Sequence, residues 1–165
     1  MQEPYTVSSV GVLLHTGSLE RGGFPKFVLV EQLDVEGHPF GIPAGRAEEM
    51  DITAVGTAIR EVYEETGLEI EPKRLQPFVD VVHATAQIRR VFSYHIGWEE
   101  LGELTYDFKT YAYHLRTKPL VADEIGRILL VRCDDVFLRG GAYALTYRWD
   151  ISREIKAKLE SRRVI

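Results

Sequence analysis

Cysteine is almost missing from this chain. The single thiol, Cys133, cannot close an internal disulfide, so no covalent framework is available and the chain suits a reducing, cytoplasmic setting. Basic residues are in the minority, 20 against 25 acidic ones. The resulting net charge of −5 argues against a dedicated surface for nucleic acid or an anionic membrane. No apolar run reaches membrane-spanning length, and the opening Met1-Gln2-Glu3-Pro4-Tyr5 lacks a basic leader segment. Internal repeats, low-complexity stretches and linkers are also lacking. What remains is 165 residues, 45% apolar and 27% charged, the size and balance of one soluble domain (1–165) with its own core.

Against that background one segment stands out: Arg60-Glu61-Val62-Tyr63-Glu64-Glu65-Thr66-Gly67-Leu68. On a helix, Glu61, Glu64 and Glu65 occupy i, i+3 and i+4 and are neighbours. Like charges at that spacing repel by about a few tenths of a kcal/mol per pair. The carboxyl end of a helix adds its own partial negative charge. Arg60 can reach Glu64 one turn on, but one guanidinium does not neutralise three acids. A cluster that local energetics oppose calls for a counterion, and hard oxygen donors suit Mg²⁺ or Mn²⁺.

The pattern around this segment predicts an α/β layered domain with a mixed sheet. Val10, Val12 and Leu14 mark a first strand, and Phe27 to Gln32 a second. Phe40 to Gly45 is expected to be a short strand end running into a glycine-bearing loop. A helix capped by Asp51 or Thr53 should run to Thr66, with Val55, Ala58, Ile59 and Val62 as its apolar stripe and the three acids beside it. Gly67 suits the left-handed position that ends a helix. Further strands are expected at Phe78 to Val82, Lys109 to Arg116 (Tyr111, Tyr113 and Leu115 on one face) and Ile128 to Val131. Ile88 to Ile96 fits either strand or helix. A short helix is expected at Asp134 to Leu138. A terminal helix follows, capped near Asp150 or Ser152, with Ile151, Ile155 and Leu159 inward.

The nine-residue segment resembles the second half of the Nudix box, R-E-U-x-E-E-x-G-U, where U is apolar, and every specified position matches. Pro43-Ala44-Gly45 is similar to the P-x-G entry into that box. Asp51 stands where the family usually has a first glutamate, and eight residues rather than seven separate it from Arg60. The extra residue falls at the loop-to-helix junction and bears on Asp51 alone. The resemblance implies a Nudix-type α/β/α sandwich and hydrolysis of the pyrophosphate linkage in a nucleoside diphosphate derivative. Its P-x-G loop is reminiscent of ADP-ribose and nucleotide-sugar hydrolases. In this reading Glu61 and Glu65 are principal metal ligands, Glu64 is a ligand or water-orienting base, and Arg60 steadies a neighbouring glutamate. Gly45 lets the backbone approach the pyrophosphate and Arg46 meets a phosphate. Glu124, just before an apolar strand, is the candidate further acid, ahead of Glu99, Glu100 and Glu103. A small nucleotide substrate and a homodimer are the implied partners.

Other residues have plainer readings. Arg89-Arg90 fits a phosphate or a solvated pair. Among Phe92, Tyr94, Tyr106, Tyr111 and Tyr113, one could stack on a base while the rest serve the core. His15, His38, His83, His95 and His114 have no metal-ligand spacing. Cys133 reads as a small buried hydrophobe and Gly140-Gly141 as a turn. The competing functions are a house-cleaning nucleoside triphosphate pyrophosphohydrolase and a non-catalytic nucleotide-sensing protein of the same fold. Isopentenyl diphosphate isomerase needs a cysteine near the substrate, and Cys133 is badly placed for it.

Overall fold

A computed structural model describes residues 6–82, 87–137 and 149–165. His83 and Gly140-Gly141 lie outside the described residues. Nine strands make one mixed sheet: β1 (Thr6–Thr16), β2 (Lys26–Gln32), β3 (Phe40–Gly41), β4 (Ala44–Arg46), β5 (Gln76–Val82), β6 (Gln87–His95), β7 (Leu104–Asp107), β8 (Ala112–Leu115) and β9 (Ile125–Arg132). Among the described residues three α-helices accompany them, α1 (Ala54–Thr66), α2 (Cys133–Val136) and α3 (Trp149–Ser161). The main path runs β5-β6-β1-β2-β9-β8-β7, and among the described residues only β1 and β6 pair in parallel.

Alternation along the strands separates two cores. Val10, Val12, Val28, Val30 and Leu130 face Ala58 and Val62 of α1. Leu13, Phe27, Leu29, Leu129 and Val131 face Ile151, Ile155 and Leu159 of α3. One helix therefore covers each face, which gives the α/β/α sandwich. β6 is buried on both faces, with Phe92 and Tyr94 on the α1 side and Val91 on the other. A strand covered on both sides shows no apolar–polar alternation, which is why periodicity alone left it ambiguous.

β1 and β2 pair directly only at one end, through His15↔Phe27 and Thr16↔Lys26. Beyond that point they splay, and the 40–46 segment fills the gap. Phe40 and Gly41 pair with β2, Ala44 to Arg46 pair with β1, and the Val12 amide donates to the Pro43 carbonyl at 2.9 Å. Gly11 leaves this wedge room, because a Cβ there would stand 2.9 Å from Ile42 Cδ1 and the end of that side chain would have to shift.

Three local expectations change. Ala44 to Arg46 is a paired strand rather than a loop. The strand expected from Lys109 begins only at Ala112, because Lys109 to Tyr111 form a turn in which Tyr111 has φ 59° and is exposed. Tyr113 and Leu115 do share a face, against the α1-side core. The terminal helix already includes Trp149, so Asp150 and Ser152 lie inside its first turn.

Candidate active site

Helix α1 starts at Thr53, whose side chain accepts the Gly56 amide, and stops at Gly67 in the left-handed region, φ 75°. Its inward surface carries two adjacent rows. Ala58 and Val62 enter the core, while Thr57, Glu61 and Glu65, at i, i+4 and i+8, form a buried polar row beside them. The acids thus lie next to the stripe, and two of them are buried: Glu61 is 9% exposed and Glu65 7%.

This polar row follows the chain of β4 in reverse order. Glu65 Oε1 accepts the Ala44 amide at 2.8 Å. The Glu61 carboxylate fills the space where a Cβ on Gly45 would lie. Arg60 Nη2 donates to the Arg46 carbonyl at 3.0 Å. Thr57 Oγ1 donates to Asp51 Oδ2 at 2.9 Å. One strand and one helix therefore fix three successive contacts, and the turn at Asp51 adds the fourth.

Arg60 is the hub of the charges. Its Nε and Nη2 grip Asp51 with both prongs, at 2.7 and 2.9 Å. Nη1 donates to Glu61 Oε1 at 2.9 Å and Glu64 Oε2 at 3.2 Å. Asp51 also accepts the Glu48 amide at 2.8 Å. These donors, the Arg60 fork first among them, hold the Asp51 carboxyl far below the usual range. Asp51 is thereby spent on Arg60. The extra residue of the box is absorbed just after it: Ile52, φ 65°, forms a γ-turn in which the Thr53 amide donates to the Asp51 carbonyl at 2.6 Å.

Burial pushes the Glu61 carboxyl up to about 7, against the pull of Arg60. It pushes Glu65 up to about 8, against the Ala44 amide and with added repulsion from Glu61, Glu124 and Glu64. Glu124 is exposed, in the turn before β9, and its backbone carbonyl accepts the Leu33 amide at 2.8 Å. Its charge acts on Glu65, so the fold brings it to the same end of the sheet as the helix acids.

As the side chains stand, no three His, Cys, Asp or Glu among the described residues are grouped to hold one ion. Arg60 Nη1 occupies the position between Glu61 and Glu64. The donor set nevertheless fits a hard divalent cation. Three carboxylates project within one turn, and each accepts hydrogen bonds on one oxygen only, Oε1 of Glu61 and Glu65 and Oε2 of Glu64.

Other candidates are engaged elsewhere. Glu100 pairs with Arg74, Arg89 with Asp150 and Arg90 with Asp80. Tyr94 and Phe92 are core residues, and burial pushes the Cys133 thiol up to about 12. What sequence reasoning missed is the clamp of Asp51 on Arg60 and the amide of Ala44. The first joins residues nine apart across a turn, and the second is a backbone group with no residue-type signal.

A sequence profile described as NUDIX domain matches residues 6–104. The chain belongs to the Nudix family. Its class of activity is accordingly that of a Nudix hydrolase, acting on pyrophosphate linkages. No curated protein sequence matches it. Among solved structures, it resembles the NUDIX domain of Shewanella oneidensis NrtR complexed with ADP ribose. That likeness has 14% identity and a TM-score of 0.62, over 100% of this chain and 91% of that one. A NUDIX hydrolase from Nitrosomonas europaea follows at 19% identity and TM-score 0.56, over 98% and 91%. A C. elegans Ap4A hydrolase, in a binary complex, has 14% identity and TM-score 0.54, over 94% and 99%. At these identities the likeness establishes the fold, which the two-faced sandwich already displays. No described helix is long and apolar enough to cross a membrane.

Proposed function

We propose that this Nudix protein hydrolyses the pyrophosphate linkage of a nucleoside diphosphate derivative of the ADP-ribose or nucleotide-sugar type, with Mg²⁺ or Mn²⁺. The observation that carries the reading is the buried pair Glu61 and Glu65, each set by β4 and lacking a full complement of hydrogen bonds. Similarity to a domain complexed with ADP ribose and to an Ap4A hydrolase supports a nucleotide ligand.

Glu61, Glu64 and Glu65 would hold the metal, which when bound supplies charge neutralisation at phosphate oxygens and a water of lowered pKa. The protein's own part is positioning. The Ala44 amide orients Glu65 by taking one of its oxygens. Arg60 does the same for Glu61 and is itself aimed by Asp51, so the carboxylates are aligned before substrate arrives. Bare Cα of Gly45 leaves room for the Glu61 carboxylate, in addition to the close backbone approach to the pyrophosphate proposed for it. Glu124, exposed and close enough for its charge to act on Glu65, would accept a proton from an attacking water.

The test is a panel of ADP-ribose, nucleotide sugars, dinucleoside polyphosphates and nucleoside triphosphates, assayed by phosphatase-coupled phosphate release with EDTA, Mg²⁺ or Mn²⁺. Turnover of the first two classes that stops in EDTA and returns with either metal is expected. Preference for triphosphates would move the chain to the house-cleaning class, and metal-independent binding with no turnover would make it a sensor.

A further inference from the structure

β7 ends the sheet on one side, and among the described residues nothing pairs with its outer edge. The ladder with β8 decides which of its backbone groups are free. Pairing runs Leu104↔Leu115, Thr105↔His114, Tyr106↔Tyr113 and Asp107↔Ala112. One step earlier, the Arg116 amide donates to the Glu103 carbonyl at 3.1 Å. Hydrogen-bonded and non-bonded pairs alternate along an antiparallel ladder, so Glu103, Thr105 and Asp107 turn their backbone groups toward β8. Those of Leu104 and Tyr106 point out of the sheet. Such a row of free N–H and C=O groups is a template for another strand.

The side chains along this edge are suited to a particular partner. Tyr106 stands between two rings, 4.7 Å from Tyr113 and 4.8 Å from Phe108, and is held in place by them. Phe108, in the turn after β7, is 81% exposed. Leu104 lies on the same face of the strand as Tyr106. An acid and a base flank this apolar row, Glu103 before it and Lys109 after it. Both are exposed, and neither has an ion-pair partner among the described residues.

A strand of this pattern complements itself. Laid antiparallel on a copy of itself about a two-fold axis through Tyr106, β7 keeps its outward groups in register. Tyr106 meets its own counterpart and Leu104 lies against Phe108 of the other copy. The same register brings Glu103 of each chain to Lys109 of the other, so acid meets base twice and apolar meets apolar. A pairing shifted by two residues, Tyr106 against Leu104, would instead oppose the two acids Glu103 and Asp107.

We infer that the outer edge of β7 is the surface through which two copies of this chain associate, with one sheet running on across the two-fold axis. Resemblance to the Nudix family implies a homodimer but no surface for it, and β7 starts at Leu104, where the match to the family profile ends. None of the residues assigned to hydrolysis takes part, so the test is independent of that reading. The intact chain is followed by sedimentation velocity over a wide concentration range at low ionic strength, where a monomer–dimer equilibrium is expected. Glu103→Lys alone and Lys109→Glu alone each replace two attractive contacts by two repulsive ones and should weaken the dimer about tenfold. Mixing the two variants sets opposite charges against each other at both contact points, and should restore association to near the wild-type level as a mixed dimer. A chain that stays monomeric, a dimer indifferent to both charge reversals, or two weakened variants that fail to recover on mixing would each overturn this surface.

Discussion

Gly45 and Glu61 compete for one volume: the place a Cβ would take on the glycine holds the glutamate's carboxylate. The strand supplying Gly45 is fixed by β1, so any conflict must be relieved by the side chain of Glu61. Gly45→Ala should therefore leave the fold intact and turn Glu61 away from the cleft. A displacement of about 1 Å at a positioned group costs about a hundredfold in rate. We expect kcat to fall by about that factor with little change in thermal midpoint.

Glu65→Gln tests the other buried acid. The amide has nearly the same shape, and its oxygen can still accept the Ala44 amide, so circular dichroism and the thermal midpoint should match the wild type. Groups that only support metal ligands cost about 10- to 100-fold when removed, so the ligand role proposed for Glu65 requires a larger loss. A variant with full Mg²⁺-dependent activity would refute the assignment.

Asp51→Ala removes the anchor of Arg60. The Asp51 side chain is 4% exposed and accepts both prongs of the guanidinium. Charge-assisted bonds of this type contribute about 1.5–3 kcal/mol, while Arg60 keeps Glu61, Glu64 and the Arg46 carbonyl as partners. Urea denaturation should record a loss of about 3 kcal/mol. Activity should fall as well, because Arg60 then no longer aims Glu61.

His15 gives a pH prediction away from the acids. It is 6% exposed and its Nδ1 lies 2.8 Å from the Gly17 carbonyl, so Nδ1 carries the proton of a neutral ring. Burial lowers its pKa to about 4. Between about 6.5 and about 4 the unfolded chain binds the proton and the folded one does not, so stability present above pH 6.5 drains away on acidification. The loss through this group reaches about 3 kcal/mol at pH 4. Urea midpoints measured from pH 8 to pH 4 should fall less steeply in His15→Asn than in the wild type.

Much of this was legible in the sequence, for physical reasons. Thr53 and Gly67 are local signals, since a cap and a left-handed stop depend on a single residue's chemistry, and both stand at the ends of α1 as expected. Val10 to Leu14, Phe27 to Gln32 and Ile128 to Val131 are strands because apolar β-formers leave no other economical burial. Long-range pairing was less readable. Ala44 to Arg46 looks like a loop, because Pro43 before it and Gly45 within it are turn residues, yet pairing with β1 overrides that preference. Tyr111 continued an alternation that the hairpin turn at Asp107 had not yet ended, with the Tyr111 amide donating to the Asp107 carbonyl at 2.8 Å. The helix acids were visible as an energetic anomaly. Their burial against β4 was not, because it depends on a strand up to 21 residues away on the other side of a turn.

Ile42 seated on the bare α-carbon of Gly11 places the alignment of the carboxylates under the control of the hydrophobic interior. Two residues beyond that contact, the same backbone presents the amide that orients Glu65. A side chain added at position 11 would meet the tip of Ile42 first, and one larger than Ile42 can yield to would press on the wedge with every acid still in place. Anyone seeking to alter this protein's rate without touching its charged groups should begin inside the sheet.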